Sequence, residues 1–198
     1  MIVKKSRTPA DAHSIGHQNW VDAKNINVTF TIGHDGTNIF LSYLVEEPQI
    51  RAVNTEFNSP VWEDSCVEFF FSPGGDGEHY YNFEFNAIGT VLCAYGKDRH
   101  HREHLPESVL SQVETIPSLG KEPIEGILGK TRWGLQVRIP VNVLIYNRIE
   151  DLTGLEAKGN FYKCGDKLDH PHYLSWEPVR TSNPNFHLPA HFGLLSFQ

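Results

Sequence analysis

Runs of alternating apolar and polar side chains recur along the chain, and each ends at a turn signal. Residues 28–32 (Val-Thr-Phe-Thr-Ile) alternate and stop at Gly33, His34, Asp35 and Gly36, a hairpin signal whose returning strand is 38–45. Residues 66–72 form a second run, broken by Pro73 and four residues containing three glycines, after which 79–86 returns. A turn at 87–89 leads into 90–95, and 109–116, 131–139 and 192–197 read as further strands. Only 141–147, opened by Pro140, suggests a helix, and the polar stretch 96–107 reads as a surface loop. Strands without alternating long helices predict an all-β fold: an antiparallel β-sandwich, immunoglobulin-like or jelly-roll-like, with one short helix. No repeat, low-complexity tract or linker divides the chain, so residues 1–198 read as a single domain.

Three of these runs have one apolar and one polar face, since residues i and i+2 share a face of a strand. Val67, Phe69 and Phe71 lie opposite Cys66, Glu68 and Phe70. Tyr81, Phe83 and Phe85 lie opposite Asn82, Glu84 and Asn86, and Trp133, Leu135, Val137 and Ile139 lie opposite Gln136 and Arg138. A solvated outer sheet face accounts for the polar sets. So does a polyhydroxylated ligand, because carboxylates, amides and a guanidinium are the groups that pair with hydroxyls that both donate and accept. Such ligands also need flat apolar surface, which Trp supplies. Trp62 precedes the strand carrying Glu68, and Trp176 lies near the C-terminal strand, whereas Trp20 and Trp133 read as structural.

Composition narrows the partners. Aromatics make up 12% of residues against a single Met, a balance that favours strands. A net charge of -7 repels phosphate backbones, so no nucleic-acid partner is expected. No stretch of about 18 apolar residues spans a membrane. The N-terminus has no secretory apolar segment, so a cytoplasmic location is expected unless a leader was removed. Cys66, Cys93 and Cys164 have no CxxC spacing, so they are not expected to ligate a metal, and the two inside strand-like runs read as buried reduced thiols.

The residues 61–71 (VWEDSCVEFFF), 81–89 (YNFEFNAIG) and 133–140 (WGLQVRIP), followed by 160–166, 171–176 and 186–193, resemble in that order the family 9 carbohydrate-binding modules, specifically their stand-alone members. The resemblance covers nearly the whole chain. It implies a β-sandwich that binds sugar without catalysis in a slot between two Trp rings, at positions matching Trp62 and Trp176, with Glu68 making polar contacts. A carbohydrate ligand and a glycoside hydrolase partner are the partners implied. From the polar faces, Glu84, Asn86 and Arg138 complete the candidate ligand-binding set. Family members can hold structural calcium; here the loop 74–78 offers too few oxygens for the six to eight that calcium takes, so no cofactor is expected.

Three other readings compete. Glu68 and Glu84 on neighbouring strands could form the carboxylate pair of a glycoside hydrolase. His100 and His104 have the i, i+4 spacing of zinc ligands, but Gly96 and Pro106 argue for a loop and a solvated histidine cluster. A protein-interaction sandwich that has lost sugar binding would bury both Trp62 and Trp176.

Overall fold

The computed structural model describes residues 1–74 and 77–198. In chain order the elements are β1 (Ile2–Lys5), β2 (His13–Ser14), β3 (His17–Gln18), β4 (Asn27–His34), β5 (Asn38–Ala52), β6 (Cys66–Ser72), β7 (Tyr80–Asn86), β8 (Val91–Gly96), β9 (Arg102–His104), α1 (Glu107–Leu110), β10 (Glu114–Pro117), β11 (Ile124–Pro140), β12 (Glu156–Cys164), β13 (Tyr173–Ser175) and β14 (Gly193–Phe197). Gly75 and Asp76, in the loop considered for calcium, lie outside the described residues.

Two sheets face each other. The first runs β10-β11-β5-β4-β1, and the second β1-β14-β12-β6-β7-β8-β9, with β13 on the edge of β12. β1 belongs to both: Ile2 and Val3 pair with Ser196 and Phe197, while Lys4 and Lys5 pair with Gly33 and His34, each time in parallel. The all-β sandwich with one short helix is therefore correct, but its pairing is not purely antiparallel.

The core forms where the alternation placed it. Val67, Phe69, Phe71, Tyr81, Phe83 and Phe85 of the second sheet are buried with Trp133, Leu135 and Val137 of the first. Phe161 of β12 stacks on Phe30 at 3.8 Å and on Phe69 at 4.8 Å, tying the sheets together.

Local departures have local causes. The expected strand 109–116 begins as helix α1, because the Pro106 carbonyl accepts from the amides of Val109 and Leu110 and turns the chain so that Leu110 is buried. The expected helix 141–147 is only a 3-10 turn, Val141–Val143. The polar stretch 96–107 contains β9, which extends the second sheet beyond β8. β12, a central strand, had no legible signal: Lys158, Gly159, Asn160 and Lys163 interrupt its alternation, yet its last six residues are all buried.

A candidate carbohydrate-binding cleft

The outer face of the second sheet is not solvated. Residues 176–192 fold across it and bury a second core that includes Val61, Phe70, Tyr80, Tyr162, Val179 and Phe186. Asn160 clamps this segment, donating to the carbonyls of Glu177 and His191 and accepting from the Glu177 amide at 2.9 Å. Phe186 stacks on Tyr162 at 4.1 Å, and its carbonyl accepts from the Tyr162 hydroxyl. Where the cover stops, a cavity of about 230 Å³ opens onto the sheet.

Glu68 and Glu84 lie on its floor. They are direct partners across β6 and β7, and each is 3% exposed. Glu68 accepts from the Cys164 thiol at 3.0 Å, and Glu84 accepts from the Asn82 amide at 2.8 Å. Burial, then the neighbouring Glu84, pushes the Glu68 carboxyl well above the usual range. Burial also lifts Glu84 to about 7, against the pull of Arg102 and Asn82. The Oε2 of Glu84 is buried with no partner, a costly state for a polar atom.

Cationic and aromatic groups complete the lining. The Arg102 guanidinium stands 3.8 Å from Glu84 and 3.3 Å from His187 Nε2. A guanidinium can only donate, so Nε2 accepts, and His187 Nδ1–H donates to the Tyr80 hydroxyl at 2.9 Å. Burial, reinforced by Arg102, pulls His187 down to about 2 and holds it neutral. Arg99 and His100, from the histidine-rich stretch read as a surface loop, reach the same cavity, as do Asp166 and Tyr173.

Two tryptophans line the cleft, Trp62 and Trp20. Trp62 sits on the 3-10 turn Val61–Glu63, anchored by buried Val61 and by the Asp166 amide donating to the Trp62 carbonyl at 3.1 Å. Trp20 holds a left-handed backbone with φ of 63°, a conformation a bulky residue adopts only under constraint. The constraint is visible: its indole N–H donates to the Thr181 carbonyl at 2.8 Å, and its ring packs against Tyr173 and Phe186.

Of the six residues singled out from the sequence, the cleft gathers three: Trp62, Glu68 and Glu84. The other three lie outside this cavity. Trp176 packs edge-on against Phe30 and Phe161 of the main core, and its ring lies over Gly193, where a side chain would meet it at 2.6 Å. Arg138 lies on β11 of the first sheet, paired with Glu114 and donating to Asn38 Oδ1 at 2.7 Å. Asn86 shares the face of Glu84 but is fully buried, donating to the Asn54 carbonyl at 2.8 Å and to Asp64 Oδ2 at 3.0 Å. Asp64 also accepts from Arg51 and from the amides of Val53 and Asn54, so Asn86 helps set the turn that carries Trp62. Trp20, Arg102 and His187 were missed; His187 lay within a motif already noted at 186–193, whereas nothing local marked Trp20.

A family model described as carbohydrate-binding family 9 matches residues 3–197. A crystal structure of a protein from Bacteroides uniformis, assigned as carbohydrate-binding, is 40% identical, with a TM-score of 0.93 over 100% of this chain and 98% of that one. A family 9 module from Caldicellulosiruptor kristjanssonii in complex with glucose is 12% identical, with a TM-score of 0.65 over 100% and 95% of the two chains. The same organism's module in complex with cellotriose gives 12% identity and a TM-score of 0.60 over 100% and 93%. Those two share the fold. No curated protein sequence matches significantly.

Proposed function

The chain belongs to carbohydrate-binding family 9, and we propose that it binds a carbohydrate, without cleaving it, in the cleft lined by Trp20 and Trp62. We take residues 1–198 as one binding unit. The observation that carries this reading is the pairing of two Trp rings with the unpartnered Oε2 of Glu84 in one cavity. Pyranose C–H faces stack on indole, and sugar hydroxyls satisfy carboxylate oxygens left without donors. Glu68 and Glu84 receive hydroxyl hydrogens; Arg99, Arg102 and His100 supply donors on the rim.

The size of the site argues for a small ligand. A cavity of about 230 Å³ falls below the roughly 300–1,000 Å³ of pockets for drug-sized molecules, so one sugar ring fits, either free or as a chain end. The relatives solved with glucose and cellotriose set the first probes.

Calorimetry with glucose, cellotriose and a wider panel tests the proposal. Saturable binding lost in Trp62→Ala supports it, and absence of binding across the panel overturns it. Cleavage has its own test: product release abolished by Glu68→Gln, with sugar affinity kept, would make this a hydrolase. A glycoside hydrolase partner is the further expectation, tested by whether adding the protein raises hydrolysis of an insoluble polysaccharide.

A further inference from the structure

We propose that Cys66, Glu68 and Cys164 form a binding site for a single thiophilic divalent cation of the zinc class. The sequence spacing of the cysteines gives no metal motif, but the sheet register makes one. Cys164 and Cys66 are direct partners across β12 and β6, and Glu68 lies two residues along the same face from Cys66. Their two sulfurs and a carboxylate oxygen lie within 4.8 Å of one another, and all three residues are buried. Among the described residues no other such group of three occurs.

Two observations point to a ligand there rather than to inert thiols. Cys164 and Glu68 line the cleft while Cys66 is buried beside them, so an ion held by the three would border the open cavity, from which a fourth ligand can come. Three protein ligands with the fourth position left to water or another small ligand is an arrangement that zinc commonly takes. On the neighbouring strand β7, the 3%-exposed Glu84 has its Oε2 buried without a hydrogen-bond partner in the same cleft, a further oxygen donor unused beside the site. Donor chemistry selects the ion: thiolates favour zinc-class metals over calcium or magnesium, which take oxygen donors. Binding forms two metal–sulfur bonds and one metal–oxygen bond, and both thiols lose their protons to solvent, so uptake releases at least two protons per ion, with affinity rising with pH.

This inference does not depend on sugar binding, and its readout is spectroscopic. Reduced protein without an affinity tag is titrated with Co²⁺ and then Zn²⁺. The expected result is one equivalent of cobalt with a thiolate-to-cobalt charge-transfer band, displaced by zinc. Cys164→Ser and Glu68→Gln each lower the affinity by more than about 100-fold, beyond the roughly 10–100-fold cost of losing an outer partner. His101→Ala with His104→Ala leaves the band unchanged. Because substitutions at these buried positions risk the fold, cadmium NMR of the unaltered protein counts its sulfur ligands directly. No charge-transfer band, a band that follows the histidines, cadmium without two sulfurs, or a Cys66–Cys164 disulfide in freshly prepared protein would each overturn the proposal.

Discussion

The second sheet has a buried polar cluster on each of its faces, and the two are built in opposite ways. Toward the core, Lys163 stands 2.9 Å from Glu47 Oε2, an ion pair whose angle is too oblique for a hydrogen bond, with both side chains at 0% exposure. Its ammonium also donates to the Cys164 carbonyl and to His172 Nε2 at 2.7 Å, and Glu47 Oε1 accepts from the Trp133 indole at 2.7 Å. His172 completes the circuit: Nε2 accepts from Lys163, so Nδ1–H donates to the His170 carbonyl. Toward the cleft, Glu68 and Glu84 face each other, two carboxyls with one guanidinium 3.8 Å away and one oxygen unpartnered. The inner cluster sets one carboxylate against one ammonium at contact distance, whereas the outer one sets two carboxyls against a single, more distant guanidinium. A buried polar atom without a hydrogen-bond partner calls for an explanation, and the proposed ligand supplies one for Glu84 Oε2.

Four experiments can break that contrast, starting with the largest effect. Glu47→Gln should destabilise the fold by about 3–5 kcal/mol in chemical denaturation, because it strands a buried ammonium. A loss below about 1 kcal/mol would mean that the inner cluster is not the tight ion pair described. Trp62→Ala should cost about 2 kcal/mol of sugar affinity, as a central stacking ring does, while denaturation midpoints barely move. A loss of stability instead, with affinity kept, would turn Trp62 into a packing residue.

The third experiment reads the inner cluster through pH. Burial, then Lys163, pulls His172 down to about 2, against 6.5 for the free side chain. The unfolded chain therefore takes up a proton below 6.5 that the folded one refuses. Stability is full above 6.5 and falls as pH drops toward 2, by about 1.4 kcal/mol per unit for this group. His172→Gln should flatten that acid slope in urea titrations between pH 6.5 and 4.5, leaving the similar slope from His187 in place. An unchanged slope would show the imidazole reaching water. The smallest effect belongs to Glu84→Gln, expected to shift stability by less than about 1 kcal/mol because Gln keeps an oxygen to accept from Asn82 and the Arg102 pair is loose at 3.8 Å. A loss as large as that of Glu47→Gln would make the outer cluster as tightly paired as the inner one and remove the contrast.

Much of the fold could be read from alternation alone, because the main core depends on a period of two that Val67, Phe69, Phe71 and their partners keep. β12 was invisible because Lys163 and Asn160 occupy buried positions that only cross-sheet and cross-segment partners make tolerable. The site was half legible for a related reason. Glu68 and Glu84 show themselves by their face, and Trp62 by its neighbouring motif. Arg138 has the same local pattern as Glu84, and nothing in a single strand tells which sheet it joins. Trp176 fills the space over Gly193, whereas Trp20, which reads as structural, lines the cleft through a backbone conformation that composition does not announce.

β1 has a mechanical consequence. It lies parallel to β14, with the Ser196 amide donating to the Met1 carbonyl at 2.9 Å and the Gln198 amide to the Val3 carbonyl at 2.9 Å. Tension applied between the first and last residues therefore pulls these two strands past each other along their length. Their hydrogen bonds are loaded in shear and must yield together, instead of unzipping one after another. Forced rupture is governed by the unfolding rate rather than by equilibrium stability, so this joint sets a resistance to pull that a denaturation midpoint does not report.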